Sequence, residues 1–482
     1  MEMRACSNTG MLISLIRLVS CMLLALALTA RADLPPPVLQ ALQAAGVPAD
    51  AVSLYVQRVD QPLPLLAHRA DVAMNPASSM KLLTTYAGLE LLGPAYTWRT
   101  EAYASVPVQD GVLHGDLILK GYGDPALTLE HFWNLLRSLR QQGLREIRGN
   151  LVLDRSYFEA TAFDPGAFDG EPYRAYNAGP DALLVNFNAT RFLFTGAAQG
   201  GKVRVTADPA LPHVRIVNQL RVSDQPCTDW KNRLDYQLQH APQTLTLTFA
   251  GSYAQDCGDK ELELSLPDAS QTVFQLFKLL WQEQGGLLLG QLQEGNVPAG
   301  ALLLAEAHSP PLAEVVRLIN KNSNNVMARQ LLISIGAEQQ GAPGSAERGS
   351  QALRAWLTAR GMEFPELVLE NGAGLSRSER ISARHLGELL LAAYASPVMP
   401  ELMSSLPVVA VDGTLKKRLQ GSAVAGRAHL KSGSLDGVRS LAGYVLDAAG
   451  RRWVVVLLVN HAAAGNSRPA QEALLQWLYQ HD

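Results

Sequence analysis

The alternation of apolar and polar residues near the start of the chain predicts a β-hairpin followed by a buried helix. Residues Ala51 to Arg58 alternate, and Pro62 to Arg69 follow a short turn. Residues Ser79 to Leu92 are instead rich in Leu, Ala and Met, without proline, and a Gly-Pro pair follows them. This pattern is typical of a mostly buried helix, and it predicts that Ser78 lies at the N-terminus of that helix.

The middle of the chain, residues 98–271, has a different pattern. Short alternating runs separated by Gly, Pro and Asn predict mainly β modules. Within them, residues 112–160 read as strand, amphipathic helix and strand, which predicts a small α/β unit. We therefore expect an inserted region of two parts.

After residue 272 a helical pattern returns, and the chain ends with two strands and a helix. Sequence neighbours usually pair, so the two strands form a hairpin, and we expect them to share one antiparallel sheet with the N-terminal hairpin. Residues 33–97 and 272–482 would then form one discontinuous α+β domain, with an antiparallel sheet flanked by helices. The helices are predicted at Thr272 to Gln284, Pro311 to Ile335, Ala346 to Arg360, Ala383 to Ala395 and Pro469 to Tyr479, and the strands at Arg439 to Leu446 and Trp453 to Asn460.

The composition is that of a globular protein without a nucleic-acid partner. The 482 residues are 48% hydrophobic and 18% charged, so the chain can bury a large core. The net charge is −3 and no run rich in Lys or Arg occurs, so neither nucleic acid nor anionic lipid is attracted in general.

The first 32 residues predict a cleaved secretory signal peptide and a periplasmic protein. Arginines precede the apolar run Cys21 to Leu28, and small residues surround a cleavage point at Ala30-Arg31-Ala32. The run is shorter than the ~20 residues that cross a bilayer. Leu18-Val19-Ser20-Cys21 also resembles a lipoprotein cleavage box, so lipidation at Cys21 and a peripheral membrane contact stay open.

Removal of the signal peptide leaves Cys227 and Cys257 as the remaining cysteines. In an oxidising compartment this predicts one disulfide between them. Two separate buried thiols are the alternative, because thirty intervening residues do not fix the geometry.

Three short polar patterns occur in order along the chain: Ser78-Ser79-Met80-Lys81, Ser323-Asn324-Asn325 and Lys431-Ser432-Gly433. Each alone is weak evidence, since a capping serine or a surface lysine explains it equally well. On a helix, positions i and i+3 share a face, so Lys81 can reach Ser78 and act as its base if burial and a second cation lower its pKa. The N–H groups of Ser78 and Ser434 would form an oxyanion hole.

Together the three patterns resemble those of the penicillin-recognising serine enzymes. The chain between Ser78 and Ser323 is much longer than in a compact β-lactamase, and the inserted region fills it. In this the chain is similar to the low-molecular-mass class C penicillin-binding proteins, the D-alanyl-D-alanine carboxypeptidase/endopeptidases. The resemblance implies a serine β-lactamase/transpeptidase-like core.

The resemblance also implies roles for the residues of the three patterns. Ser78 would be the acyl-enzyme nucleophile and Lys81 its proton acceptor. Ser323 with Lys431 would return the proton to the leaving D-alanine amine, and Asn325 would hold a substrate amide.

Residues near the third pattern would bind the end of the substrate. Ser432 and Ser434, on either side of Gly433, would line the site for the terminal carboxylate. Arg377, in Gly-Leu-Ser-Arg, would approach the mouth of the site as a substrate contact, although a surface arginine that caps a loop is the equal alternative. Asp436 stands where some relatives have a neutral amide, which would change the preferred peptide side chain.

The implied substrates are peptidoglycan stem peptides, with β-lactams as covalent inhibitors. Asp169 and Glu171, on the inserted region, would meet the amino group of a diaminopimelate stem. No cofactor or metal is expected, because the histidines are scattered and no His-Glu-x-x-His or zinc-type Cys pair occurs. A β-lactamase or esterase on the same core and a non-catalytic peptidoglycan-binding scaffold are the alternatives. The patterns do not separate carboxypeptidase from endopeptidase activity.

Overall fold

Most of the α-helices lie outside the mainly β middle of the chain. The computed structural model describes residues 34–196, 201–241 and 244–481. The predicted signal peptide, with Cys21, lies outside these residues. The α-helices of the described part are α1 (Pro36–Ala44), α2 (Lys81–Leu91), α3 (Leu129–Gln141), α4 (Ala269–Glu283), α5 (Leu312–Asn322), α6 (Asn325–Gln340), α7 (Ala346–Ala359), α8 (Ala383–Tyr394), α9 (Met399–Ser405) and α10 (Arg468–Gln480).

The strands are short in the middle of the chain and long at its C-terminal end. In chain order they are β1 (Val52–Arg58), β2 (Leu66–His68), β3 (Ala73–Met74), β4 (Arg99–Ala104), β5 (Val112–Leu113), β6 (Leu117–Gly121), β7 (Glu146–Ile147), β8 (Leu151–Asp154), β9 (Ala189–Thr195), β10 (Arg204–Asp208), β11 (Val214–Asn218), β12 (Arg221–Ser223), β13 (Leu234–Ala241), β14 (Thr244–Ala254), β15 (Lys260–Ser265), β16 (Leu287–Leu288), β17 (Leu292–Glu294), β18 (Leu302–His308), β19 (Ile381–Ser382), β20 (Ala428–Leu435), β21 (Val438–Leu446) and β22 (Arg452–Asn460).

The two ends of the chain meet in one five-stranded antiparallel sheet of order β2-β1-β22-β21-β20. This confirms the predicted sharing of a sheet by the N-terminal and C-terminal hairpins. Along β22, Val455, Leu457 and Val459 pack with α1 and α10, whereas Val454, Val456 and Leu458 pack with the helices of the other face. Both faces of the sheet are therefore covered, which explains why β22 is apolar without alternation. The fold is α+β, as predicted.

The inserted region has two parts around one hydrophobic core. An α/β part contains a five-stranded sheet, β17-β8-β6-β4-β18, and the helices α3 and α4. A β part contains a three-stranded sheet, β10-β9-β15, and a four-stranded sheet in which β14 pairs with β11, β12 and β13. Cys227 and Cys257 are bonded to each other in the β part, which confirms the predicted disulfide.

The expected end of the inserted region at residue 271 does not match the strand pairing. Helix α4 buries Phe274, Phe277 and Trp281 in the core of the inserted region. Strands β16, β17 and β18 pair with β7, β8 and β4 of that region. The helical pattern of α4 revealed an apolar face but not the core in which that face is buried. We propose that the inserted region runs from β4 to the end of β18 at His308.

The expected single helix at Pro311 to Ile335 is also wrong, because the helical conformation is interrupted at Ser323 and two helices form instead. Ser323 has a left-handed backbone (φ 55°, ψ 38°) and ends α5. The Asn324 side chain then accepts the Met327 N–H at 3.0 Å and caps α6. Within residues 34–196, 201–241 and 244–481, no helix is long and apolar enough to cross a membrane.

Candidate active site

Ser78 lies in a tight turn directly before α2. The turn is a short 3₁₀ segment, Ala77–Met80, that runs into the helix. Ala77 has a left-handed backbone (φ 45°). The Asn75 side chain holds this conformation, since its Oδ1 accepts the Ala77 N–H at 2.8 Å. The Asn460 side chain fixes the Asn75 backbone: its Oδ1 accepts the Asn75 N–H at 2.8 Å, and its Nδ2 donates to the Asn75 carbonyl oxygen at 3.0 Å. A non-glycine residue with positive φ needs such support from its surroundings. In this turn Ser78 is half-buried and lies at the edge of a cleft.

Lys81 is completely buried and points at Ser78. Its Nζ lies 3.0 Å from Ser78 Oγ and 2.6 Å from Asn325 Oδ1, and it also donates to the carbonyl oxygen of Ala373. Burial, followed by the nearby charge of Lys431, holds the pKa of Lys81 well below its ordinary value. A neutral amine beside a serine hydroxyl can accept the proton of that hydroxyl.

The second and third sequence patterns contact each other in the same cleft through Ser323 and Lys431. Lys431, on β20, donates from Nζ to Ser323 Oγ at 2.8 Å and to the carbonyl oxygen of Ser432 at 2.8 Å. Burial lowers the pKa of Lys431 from 10.5 to about 7. Ser323 lies in the left-handed turn that ends α5, and its hydroxyl faces Lys431 in the cleft. The structure thus brings Ser78, Lys81, Ser323, Asn325 and Lys431 together.

Strand β20 approaches the Ser78 turn closely because it carries a glycine. A Cβ on Gly433 would lie 2.7 Å from the carbonyl oxygen of Pro76. Ser440, on β21, joins the same contact by donating to that oxygen at 2.6 Å and lying 2.8 Å from Ser79 Oγ. Ser432 Oγ lies 3.0 Å from Thr414 Oγ1 at the surface.

A turn at residues 370–374 lies against Lys81, and hydrogen bonds to Glu379 fix the conformation of this turn. Glu379 is fully buried, and its Oε1 accepts the N–H groups of Glu370 at 3.1 Å, Asn371 at 2.9 Å and Gly372 at 3.1 Å. This turn presents the Ala373 carbonyl oxygen to Lys81. Burial raises the pKa of Glu379. Neither Glu379 nor Asn75 was predicted; an Asn-Pro pair signals a turn at Asn75, but no local pattern marks Glu379.

The cleft in front of Ser78 has a volume of about 550 Å³. Its wall includes Ser434, Asp436 and Arg377, as expected for residues that meet a substrate. Arg377 is exposed, donates to the Asp436 carbonyl oxygen at 3.0 Å, and lies with its guanidinium 4.6 Å from the centre of the Phe168 ring. Arg377 thus lies at the mouth of the cleft and is bonded to the loop that carries Asp436, and its contact with a substrate stays a prediction. The oxyanion-hole pair of N–H groups stays a prediction.

Of the two acidic residues expected to meet a substrate amine, Asp169 lines the cleft and Glu171 does not. Asp169 accepts hydrogen bonds from Tyr176 at 2.9 Å and from Asn177 at 2.8 Å. Glu171 instead lies 3.4 Å from Arg174.

Among residues 34–196, 201–241 and 244–481, one group of His, Cys, Asp or Glu side chains is close enough to share a metal ion. It consists of Cys227, Asp256 and Cys257, and both sulfur atoms are already used in the disulfide. The site around Ser78 is built from serines, lysines and amides, which suit nucleophilic catalysis rather than metal binding.

The comparisons with known proteins agree with this geometry. Residues 38–481 match the model of the D-Ala-D-Ala carboxypeptidase 3 (S13) family. A D-alanyl-D-alanine carboxypeptidase of Actinomadura sp. (strain R39) is 31% identical over 415 residues, which cover 83% of this chain and 75% of that protein. The D-alanyl-D-alanine carboxypeptidase DacB of Haemophilus influenzae is 24% identical over 430 residues, which cover 88% of this chain and 89% of DacB.

Solved structures show the same fold. Penicillin-binding protein 4 (dacB) of Haemophilus influenzae superposes with a TM-score of 0.78 at 23% identity, covering 92% of this chain and 99% of that one. A second structure of that protein, in complex with a β-lactam, gives a TM-score of 0.74 at 23% identity, with 93% and 100% covered. The family match spans nearly the whole chain, and the serine–lysine site lies within it. The chain therefore belongs to the D-Ala-D-Ala carboxypeptidase 3 (S13) family of serine peptidases, the group that includes the low-molecular-mass class C penicillin-binding proteins.

Proposed function

We propose that this D-Ala-D-Ala carboxypeptidase acts outside the cytoplasmic membrane on peptidoglycan stem peptides, through an acyl-enzyme on Ser78. The predicted signal peptide supports export to the periplasm. The same acyl-enzyme serves carboxypeptidase and endopeptidase activity, since they differ only in the amine that leaves. β-Lactams would acylate Ser78 and inhibit the enzyme.

The first chemical step is attack by Ser78 Oγ on the carbonyl carbon of the penultimate D-alanine. The neutral amine of Lys81 takes the hydroxyl proton as the new C–O bond forms. The oxyanion that develops would be held by the N–H groups of Ser78 and Ser434. Asn325 holds Lys81 in line, and its amide would also bind a substrate amide.

The second step breaks the C–N bond and releases D-alanine. The leaving nitrogen needs a proton, and Ser323 is placed to deliver one because its hydroxyl accepts from Lys431 and can donate onward. Lys81 becomes neutral again as its proton is relayed through Lys431 and Ser323 to the leaving amine. Water then attacks the Ser78 ester, Lys81 accepts the proton of that water, and Ser78 Oγ takes this proton back as its bond to the acyl carbon breaks. Ser432 and Ser434 would bind the terminal carboxylate of the substrate, with the charge of Lys431 behind them.

The observation that carries this proposal is the 3.0 Å contact between Lys81 Nζ and Ser78 Oγ inside a buried site that also holds a second lysine, Lys431. A surface lysine that caps a turn would stay hydrated and charged. A buried lysine beside a second lysine is poised to be neutral, which is what a base for serine requires.

The test is mass spectrometry of the purified protein after incubation with benzylpenicillin, with peptide mapping and a timed chase. We expect a stable adduct on Ser78. We also expect Ser78→Ala to abolish the adduct and to lower D-alanine release by on the order of 10³ or more. Ser404→Ala, which removes an exposed serine hydroxyl, is the matched control and should label normally.

Three outcomes would contradict the proposal in different ways. Turnover that persists in Ser78→Ala would remove Ser78 as the nucleophile. Rapid loss of the adduct during the chase would indicate a β-lactamase. A protein that forms no adduct and releases no D-alanine would be a peptidoglycan-binding scaffold.

A further inference from the structure

A second cavity of about 920 Å³ adjoins the catalytic cleft. The two share Phe168, Leu375 and Arg377 as a common wall. Beyond that wall the second cavity lies between the inserted region, helix α6 and the start of α7. Ser78 and Ser323 line only the first space, so the second cavity has no part in the acylation step itself.

Arg329, on α6, lines this second cavity as a buried cation that forms no ion pair with the described residues. Only 6% of the surface of Arg329 is exposed. Nη1 donates to the carbonyl oxygen of Ala178 at 2.9 Å, and the guanidinium lies 5.3 Å from the centre of the Phe163 ring. Within the described part of the chain, no carboxylate lies within 4.0 Å of the Arg329 guanidinium, and its buried Nε has no hydrogen-bond acceptor. The carboxylates of Glu379 and Glu370 act on Arg329 only from beyond that distance.

The other charged groups that line the cavity have partners or are exposed to solvent. Arg155 forms ion pairs with Asp181 and with Glu294, the latter at 2.9 Å. Glu370 accepts the hydroxyl protons of Ser376 and Ser378, each at 2.5 Å. Exposed acids such as Glu159 and Glu347 also line the cavity, but they are solvated at its rim. Among the described residues, Arg329 is thus the buried charge of this cavity that forms no direct ion pair.

The N-terminus of α7 adds a second feature that favours an anion. Ser345 caps this helix by accepting the Arg348 N–H at 3.3 Å, and Ser345 and Ala346 line the cavity. The first turn of a helix carries partial positive charge. A buried charge without a counter-ion is costly, and a carboxylate that enters the cavity would remove that cost.

We propose that the second cavity binds a carboxylate that the peptide substrate carries upstream of its D-Ala-D-Ala end, with Arg329 as the counter-ion. This inference rests on the proposed function, because it assumes a peptide whose acyl side continues past Arg377 and Phe168. The site would select acidic peptides over their amides. It would act on binding and orientation, since Arg329 touches none of the reacting atoms.

The probes are acetyl-Glu-Lys-D-Ala-D-Ala and acetyl-Gln-Lys-D-Ala-D-Ala, and the same pair with one alanine inserted after the first residue. In the native protein, kcat/KM for D-alanine release should be roughly tenfold higher for the acidic member of at least one pair, as a charge-assisted contact predicts. Arg329→Met should reduce that ratio to about one. The ratio cancels any common effect of the substitution on acylation. Lys278→Met, which removes an exposed charge that lines neither cavity, should keep the ratio.

A binding measurement separates this inference from the proposed function. In Ser78→Ala, calorimetric titration with each peptide needs no turnover, and the acidic peptide should bind roughly tenfold more tightly. Arg329→Gln in that background, checked by its melting temperature, should lose the difference. Equal affinity for acidic and amide peptides in Ser78→Ala, or a ratio that survives both Arg329 variants, would overturn the inference. Absence of D-alanine release from every peptide would overturn the proposed function alone.

Discussion

Lys81 Nζ lies 2.6 Å from Asn325 Oδ1, although 244 positions separate the two residues. The contact joins the start of α2 to the first residue of α6. Asn325 holds that first position because one helix ends at Ser323 and the next begins two residues later. The amide oxygen of Asn325 fixes the lysine without adding a negative charge, so Lys81 can stay neutral in the buried site.

Replacement of Lys81 by arginine should abolish acylation. Arginine keeps a positive charge at all accessible pH values, so it cannot accept the Ser78 proton. We expect the rate of benzylpenicillin acylation, measured by stopped-flow or quenched mass spectrometry, to fall by about 10³ or more in Lys81→Arg. Lys81→Met should fall as far. Near-normal acylation by Lys81→Arg would show that a neutral lysine is not the base.

The lowered pKa of Lys431 predicts a specific dependence of stability on pH. The pKa is about 7 in the folded protein and 10.5 as the ordinary value, so the unfolded chain binds more protons between these limits. Stability therefore rises with pH across this window, and the cost of burying the charge is present in full below pH 7. Lys431→Met removes that dependence.

Urea unfolding of the native protein and of Lys431→Met at pH 7 and pH 9 measures the effect. The free energy of unfolding of the native protein should gain about 2 kcal/mol over the variant between these two pH values. The comparison uses the change with pH, so the packing effect of methionine cancels. Parallel behaviour of the two proteins would contradict the buried, titrating lysine.

Much of this fold and site follows from the sequence, because the patterns involved are local. The hairpins at the two ends of the chain have alternating or continuous apolar runs, and Ser78 and Lys81 lie within one helical turn. The break at Ser323 was missed because apolar residues recur at helical spacing on both sides of it. The boundary that we propose at His308 could not be predicted, because an amphipathic helix such as α4 reveals its apolar face but not the core in which that face is buried.

Glu379 should position the turn that supports Lys81. Glu379→Ala leaves the three N–H groups of residues 370–372 without their acceptor. The Gly372 N–H is buried, and leaving such a group unpaired costs about 1–3 kcal/mol. We expect a lower melting temperature and slower benzylpenicillin acylation. Glu379→Gln keeps an acceptor oxygen and should recover most of the stability.

The pH profile distinguishes positioning from simple support of the fold. The charge of Glu379 raises the pKa of Lys81, so its loss in Glu379→Gln should shift the acidic limb of the acylation profile to lower pH. An unchanged profile in a stable Glu379→Gln protein would limit Glu379 to a structural role.

The disulfide should stabilise the inserted region without affecting catalysis. Cys227 and Cys257 are 30 positions apart, and closing a loop of this size contributes about 3.6 kcal/mol. The double variant Cys227→Ser/Cys257→Ser should therefore melt at a lower temperature. Its benzylpenicillin acylation rate at 20 °C should stay within about twofold of the native rate, because neither cysteine lines the cleft. A large loss of acylation in the folded variant would mean that the inserted region controls the geometry of Ser78.

Gly374 should be required for the position of Ser78, and the chain offers a matched control at Gly421. Both glycines have φ of 76°, so alanine strains the backbone equally at either position, by roughly 1 kcal/mol. A Cβ on Gly374 would lie 1.9 Å from the carbonyl oxygen of Ala77 and 2.7 Å from the backbone nitrogen of Ser78, whereas nothing lies within 4 Å of a Cβ on Gly421. Gly374→Ala must therefore displace the turn that carries the nucleophile. A displacement of this kind costs on the order of 10²-fold in rate, so we expect acylation to fall by that factor in Gly374→Ala and to stay normal in Gly421→Ala. Equal rates in the two variants would show that the turn before α2 tolerates movement without loss of catalysis.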